Sequence, residues 1–267
     1  MAAITSYPPG TFCWTELATT DQGDAKRFYG ELFGWGANDV PLGGDGAYSM
    51  MQAEGRDAAA IQQQRADERD KGIPPHWRSY VAVADADEAS RRVADAGGKV
   101  LAGPFDVFES GRMSVAQDPT GAVFALWQAR RHLGAGWAND PGGVVWNELL
   151  TRDTATAAQF YARVFGWAAE AQAGGPVPYT VFKNAGRLAG GMMEISPQME
   201  QIGPMHAQWG VYFGVTDCDA TVQRAVTLGG RVVMPPMDVA GVGRIAVLAD
   251  AQGASFSIMK AVAPPPA

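Results

Sequence analysis

Phe28-Tyr29-Gly30-Glu31-Leu32-Phe33-Gly34-Trp35 and Phe160-Tyr161-Ala162-Arg163-Val164-Phe165-Gly166-Trp167 are one segment written twice, 132 residues apart (160 − 28 = 132). In each, apolar residues fall at i, i+1, i+4 and i+5, which predicts a helix with one apolar face. The glycine after the second phenylalanine stands where a helix needs a left-handed residue to stop. Asp21 and Asp153 precede the two copies and offer a carboxylate to cap the same helix.

Working outward, the same offset joins Trp14 to Trp146, Trp77 to Trp209 and Asp118 to Asp250, each pair again separated by 132 (146 − 14, 209 − 77, 250 − 118). Gly97-Gly98-Lys99-Val100 returns as Gly229-Gly230-Arg231-Val232. The register slips once, where Tyr48 matches Tyr179 (179 − 48 = 131), and then recovers, as an insertion in a turn would make it. The chain therefore reads as two modules, 8–128 and 144–262, joined by a linker at 129–143. Two such modules in tandem can form a cleft between them, the usual place for a ligand.

Each module begins with a β-branched and aromatic strand, Phe12–Thr19 or Val144–Leu149, followed by the helix. Hairpin strands follow around Tyr48-Ser49-Met50-Met51, with a turn near Gly55, and around Tyr179-Thr180-Val181-Phe182, with a turn at Gly186. Gly43-Gly44-Asp45-Gly46 reads as a hairpin loop and 62–75 as a solvated loop. A strand starting at Trp77 or Trp209 leads to a second helix, which begins at Asp87 or Asp219 and stops at the glycine pair. The last strands, Arg112–Ala116 and Ala122–Trp127, flank an Asp118-Pro119-Thr120-Gly121 turn. The fold class expected is α+β. It consists of tandem βαβββ modules, each a curved mixed sheet with helices on its outer face and a concave face opposite. The tail from Pro264 is expected to fray.

Composition narrows the function. A net charge of −7 with no basic block argues against nucleic acid or an anionic membrane as partner. No apolar run is long enough to span a bilayer, and residues 1–12 lack a secretion signal, so a cytoplasmic protein is expected. Cys13 and Cys218 are not repeat equivalents, since Val145 and Ala86 stand at the matching positions. They read as small apolar fillers in a reducing compartment.

Glu16 and Glu148 are the candidate chemical groups. Strand alternation puts each on the same side as the tryptophan two residues earlier. Such a pair could act as general base, cation receptor or unusual metal site, or could simply accept hydrogen bonds from the backbone or an arginine. Trp14, Trp146, Tyr80, Tyr212 and Trp127 share the alternation and would line a pocket, or fill a core. Arg112 and Arg244 could hold an anionic ligand, with an ion pair to Glu16 or Glu148 as the plainer account. His76, His132 and His206 read as solvated loop histidines.

The strand ending before Asp21, the Phe-Tyr-x-x-x-Phe-Gly-Trp helix and the Asp-Pro-x-Gly turn together resemble the vicinal oxygen chelate superfamily. That superfamily comprises glyoxalase I, extradiol dioxygenases and bleomycin-resistance proteins. The tandem layout and Gly103-Pro104-Phe105-Asp106-Val107 are most similar to its two-module actinobacterial glyoxalase-like, "hydroxylase"-labelled and secreted-antigen group. The resemblance covers residues 8 to 262. It implies a divalent metal held by a residue early in strand one, one in the middle strand and a glutamate in the last strand. Those positions fall on Trp14, Arg78 or Ser79, and Ala125, and in the second copy on Trp146, Gly210 or Val211, and Ser257. These are not a divalent ligand set. The expectation is therefore a small-molecule-binding protein without cofactor or metal, a monomer or homodimer, serving sequestration or detoxification. The alternatives are a metal-independent isomerase or lyase using Glu16 or Glu148 as general base, and the metal-dependent glyoxalase or dioxygenase that the resemblance implies.

Overall fold

The computed structural model describes residues 4–43, 46–172, 177–201 and 205–262. Gly44 and Asp45 of the expected hairpin loop, and the tail from Pro264, lie outside the described residues. The first module runs β1 (Phe12–Thr19), α1 (Gln22–Phe33), β2 (Gly36–Gly43), β3 (Gly46–Ala53), β4 (Arg56–Gln63), α2 (Ala66–Asp70), β5 (His76–Ala82), α3 (Ala86–Asp95), β6 (Lys99–Val107), β7 (Gly111–Gln117) and β8 (Val123–Ala129). The second repeats it: β9 (Val144–Thr151), α4 (Thr154–Phe165), β10 (Ala168–Gln172), β11 (Tyr179–Asn184), β12 (Arg187–Glu194), α5 (Pro197–Glu200), β13 (Gln208–Gly214), α6 (Cys218–Thr227), β14 (Arg231–Val239), β15 (Gly243–Ala249) and β16 (Ser255–Ala261).

Each module forms one eight-stranded mixed sheet, in the orders β2-β3-β4-β1-β5-β8-β7-β6 and β10-β11-β12-β9-β13-β16-β15-β14. The pairs β1·β4, β5·β8, β12·β9 and β13·β16 are parallel, because a helix-containing crossover separates their members. The α+β tandem architecture stands.

Helix boundaries follow the expected chemistry, with one correction. Asp21 and Asp153 accept from the backbone N–H groups of Asp24 and Thr156, and Gly34 and Gly166 close the helices in the left-handed region, both at φ 74°. Helices α3 and α6 are capped by Asp85 and Asp217, two residues before the aspartates expected to start them. Asp87 and Asp219 are left free to bind arginines instead. Within 62–75 the chain makes the short helix α2, where a loop alone was expected.

Contacts divide the chain into two compact units. The first comprises Met1–Trp14, Ser79–Gly134 and Trp146–Gly210; the second comprises Thr15–Arg78, Ala135–Val145 and Val211–Ala267. Each unit joins half of one module to half of the other and has its own core. In the second unit, Phe28 and Tyr29 of α1 pack with Trp77, Phe213 and Phe256. Tyr29 donates to Asp250 Oδ2 at 3.0 Å and accepts from Trp77 Nε1 at 3.1 Å. Burial raises both the Tyr29 and the Asp250 pKa. The first unit repeats the clasp: Tyr161 donates to Asp118 Oδ2 at 2.9 Å and accepts from Trp209 Nε1 at 2.7 Å. The repeated tryptophans also anchor segments outside the sheets. Trp35 Nε1 donates to the Gly142 carbonyl, and Trp167 Nε1 to that of Gly10.

Candidate functional site

Leu17, Ile61 and Trp77 belong to the helix-covered core of the second unit. Alternation along β1, β4 and β5 therefore turns Glu16, Gln62 and Arg78 to the opposite face. There the Glu16 carboxylate accepts three side-chain hydrogen bonds: from Tyr48 Oη to Oε2 at 3.0 Å, and from Gln62 Nε2 and Arg78 Nη1 to Oε1 at 3.0 and 2.9 Å. The ion pair is deep, with side-chain exposures of 11% for Arg78 and 4% for Glu16. Arg78 Nη2 reaches Glu68 at 3.4 Å and His76 Nε2 at 3.1 Å. Glu16 thus has the arginine partner that the plainer reading required, although the partner is Arg78 and not Arg112. A carboxylate already accepting three donors is poorly placed to take a proton from a substrate.

His76 is not a solvated loop residue. Its Nε2 faces a guanidinium that can only donate, so that nitrogen must accept, and its Nδ1–H points to the Pro74 carbonyl at 2.9 Å. Burial, and then the positive charge of Arg78, lower its pKa below the ordinary 6.5. A depressed histidine contributes stability that is present above 6.5 and lost as pH falls through its folded value. Urea titrations between pH 7.5 and 5 are expected to show the native chain losing stability relative to His76→Gln, which cannot protonate. Parallel pH profiles would refute this.

Three of the five expected aromatics gather in the first unit. The rings of Tyr80 and Trp127 meet edge to face with centroids 6.4 Å apart. Between Trp14 and Trp127 sits the His132 ring, 4.6 and 5.9 Å from them. Trp127 Nε1 donates to the His132 carbonyl at 2.9 Å, and the backbone N–H groups of Arg130 and His132 both donate to the Ser110 carbonyl. Farther along, Gly134 has φ 122°, and a Cβ there would lie 2.4 Å from the Cys13 carbonyl oxygen. Only glycine allows the linker to run so close to β1. These aromatics form a filled cluster, with His132 as the filler.

A second carboxylate cluster lies in the first unit. Leu149, Met192 and Trp209 face that unit's core, so Trp146, Glu148, Gly191 and Gly210 face the other way. Trp146 Nε1 donates to Tyr179 Oη at 2.9 Å. Burial, and then the negative charge of the neighbouring Glu148 carboxylate, raise the Tyr179 pKa. The phenol oxygen lies so close to Gly191 that a Cβ there would be only 1.8 Å away. A Cβ at Gly210, by contrast, would meet no heavy atom nearer than the Glu148 carbonyl oxygen at 3.7 Å. Trp146, Tyr179 and Gly210 are half-buried, whereas Glu148 and Gly191 beside them are buried.

The remaining candidates are elsewhere. Tyr212 is buried in the second unit, in register with Ser257. Arg112 chelates Asp87 at 2.7 and 3.0 Å and also holds Asp106, while Arg244 does the same with Asp219 and Asp238. Neither arginine pairs with Glu16 or Glu148, which corrects that expectation: the aspartates freed from capping are nearer. Tyr48, Gln62, Tyr179 and His132 were not expected at these sites, and Arg78 was expected only as an occupant of the middle-strand position and not as the partner of Glu16. The Tyr48/Tyr179 match was the one available signal.

The family descriptions Glyoxalase/Bleomycin resistance protein/Dioxygenase superfamily and Glyoxalase-like domain match residues 11–126 and 144–259 respectively. A Mycobacterium tuberculosis protein provisionally named glyoxylase CFP32 is 45% identical over 264 residues, spanning 97% of this chain and 98% of its own. The anthracycline biosynthesis protein DauV of Streptomyces sp. is 37% identical, spanning 96% and 95%. The chain belongs to the glyoxalase/bleomycin resistance protein/dioxygenase superfamily. Among solved structures, the Mn(II)-bound glyoxalase of Novosphingobium aromaticivorans shares the fold, with a TM-score of 0.62 at 14% identity, covering 96% of this chain and 84% of that one. A catechol 2,3-dioxygenase does likewise, with a TM-score of 0.60 at 15% identity, covering 98% and 91%.

A divalent metal does not fit the side chains present. Among the described residues no three His, Cys, Asp or Glu side chains are placed to share an ion. At the middle-strand position of the first module the Arg78 guanidinium, bonded to Glu16, would repel a divalent cation. No helix among the described residues is long and apolar enough to cross a membrane.

Proposed function

We propose that this chain is a small-molecule-binding member of the superfamily that works without a metal. Its recognition site is the face of β9, β11, β12 and β13 around Trp146, Glu148 and Tyr179. The observation that carries this reading is the grouping of the Trp146–Tyr179 hydrogen bond with the neighbouring Glu148 carboxylate, set beside two glycines, Gly191 and Gly210, that keep side-chain bulk away from it. A carboxylate, a phenol and an indole together orient a ligand that pairs an aromatic body with a polar group. Relatives named for anthracycline biosynthesis make polycyclic aromatic carbonyl compounds the first ligands to try. Sequestration or detoxification of such a compound, in the cytoplasm, is the role assigned; the free, buried thiols of Cys13 and Cys218 suit a reducing compartment.

The test is a tryptophan-fluorescence titration across a panel of aromatic metabolites, with native chain and Glu148→Gln. At least one compound should bind, and its dissociation constant should rise about tenfold or more in the variant, the effect of removing one charge-assisted hydrogen bond. Silence across the panel, or equal affinity in the variant, overturns the reading. A second reading, a metal-independent isomerase or lyase, is favoured by the same carboxylate. Glu148 would then move a proton next to a ligand carbonyl, and Glu148→Gln would abolish kcat while leaving binding largely intact.

A further inference from the structure

The two modules differ in what covers the inner face of their first strand. Four residues around Glu16 have counterparts around Glu148: Ala18 in Leu150 (150 − 18 = 132), Arg78 in Gly210 (210 − 78 = 132), Gln62 in Met193 (193 − 62 = 131) and Glu68 in Met199 (199 − 68 = 131). Strand pairing supports the match. Gln62 stands opposite both Ala18 and Tyr48, and Met193 opposite both Leu150 and Tyr179. Glu68 and Met199 are each the third residue after a helix cap, Arg65 in one module and Ser196 in the other.

In the first module the cover is polar and closed. Gln62 and Arg78 bond Glu16, and Arg78 reaches on to Glu68. Ala18, on the same face, is 1% exposed. In the second module an amide and a carboxylate have become thioethers, and the guanidinium side chain has become a hydrogen. A Cβ on Gly210 would meet no described heavy atom nearer than 3.7 Å. Leu149, Met192 and Trp209 face the core, so Leu150, Met193 and Gly210 share the Glu148 face with Trp146. Leu150, Met193 and Trp146 are only half-buried there. The Glu148 carboxylate is itself engaged, by the Tyr179 phenol. What the second module has gained over the first is therefore apolar surface in contact with water, which a ligand would cover.

We infer that this face takes one uncharged aromatic ring system per chain, seated over Gly210 against Trp146, Leu150 and Met193, and that Gly210 and Met193 determine its specificity. This rests on the reading that the Glu148 face is the binding site, and it adds the ligand's charge, the stoichiometry and the deciding residues. An indole and a thioether both pack well against an aromatic ring. Leucine, methionine and glycine side chains offer nothing to offset the desolvation of a charged group laid on them. In the first module Arg78 and Gln62 occupy the corresponding place, which leaves no room for the same ligand.

The experiment is isothermal titration calorimetry of the full chain with naphthylmethanol, naphthylmethylammonium and naphthalenesulfonate, one ring system in neutral, cationic and anionic form. Native protein should bind one molecule of the alcohol per chain, about tenfold or more tighter than either ion. Gly210→Arg, which restores the first module's side chain, should weaken the alcohol about tenfold or more. Met193→Gln is nearly isosteric and should weaken it about fivefold, because a buried amide then lacks a partner. That variant decides the matter if Gly210→Arg fails to fold. Either ion binding as tightly as the alcohol would overturn the charge assignment, and two alcohols per chain would overturn the closure of the first module. Alcohol binding that resists both substitutions but weakens in Glu148→Gln would overturn the inference and leave the face a binding site. Binding of none of the three probes would also overturn it, whereas the underlying reading falls only if the metabolite panel is silent too.

Discussion

Asp118→Ala is expected to lower the unfolding free energy by about 4 kcal/mol, as two or three buried donors lose their acceptor at about 1–3 kcal/mol each. Asp118 Oδ1 accepts from the backbone N–H groups of Thr120, Gly121 and Ala122, so it builds the turn between β7 and β8. Oδ2 accepts the Tyr161 phenol, which in turn accepts the Trp209 indole N–H. One side chain thus shapes a turn of the first module and clasps the first helix of the second, inside one compact unit. Urea unfolding of Asp118→Ala, Tyr161→Phe and the double variant separates these roles. If Asp118 served only its turn, Tyr161→Phe would be nearly silent. With the clasp in place it should cost about 2 kcal/mol, and the two losses should fall short of additive by more than about 0.5 kcal/mol. A loss below about 1 kcal/mol in Asp118→Ala would remove the clasp from the account of this fold.

That turn also shows how much could be read from sequence. Asp118-Pro119-Thr120-Gly121 is a local pattern, so its turn was legible, as were the caps at Asp21 and Asp153 and the stops at Gly34 and Gly166. The tyrosine on the far side of Asp118 was visible only as an apolar helix position, because periodicity reports burial and not hydrogen-bond partners. The same limit applied at the candidate site. Glu16 was placed on its face by alternation, but its donors Tyr48, Gln62 and Arg78 lie 32, 46 and 62 residues away, beyond any local pattern. His132 was hidden for a different reason. Its polar neighbours suggested a solvated loop, whereas Gly134 allows the linker to press against β1 and the ring fills the gap between two indoles. Asp87 and Asp219 were misplaced because Asp85 and Asp217, equally suited to cap a helix, stand two residues earlier.

Arg78→Ala is expected to be the most damaging single change at the candidate sites, costing about 3–5 kcal/mol, because it leaves a buried carboxylate without its charge partner. Glu16 would keep the Tyr48 and Gln62 hydrogen bonds, but two neutral donors do not replace a guanidinium at 2.9 Å. Glu68 and His76 would lose their contacts with the same side chain. Arg78→Lys should recover only part of the loss, since a compact ammonium cannot span Glu16, Glu68 and His76 together. Adding Glu16→Gln to Arg78→Ala removes the stranded charge and should recover about 2 kcal/mol relative to Arg78→Ala alone, a non-additivity that equilibrium urea unfolding resolves. If the double variant is instead the sum of its parts, Glu16 and Arg78 are adjacent without being coupled.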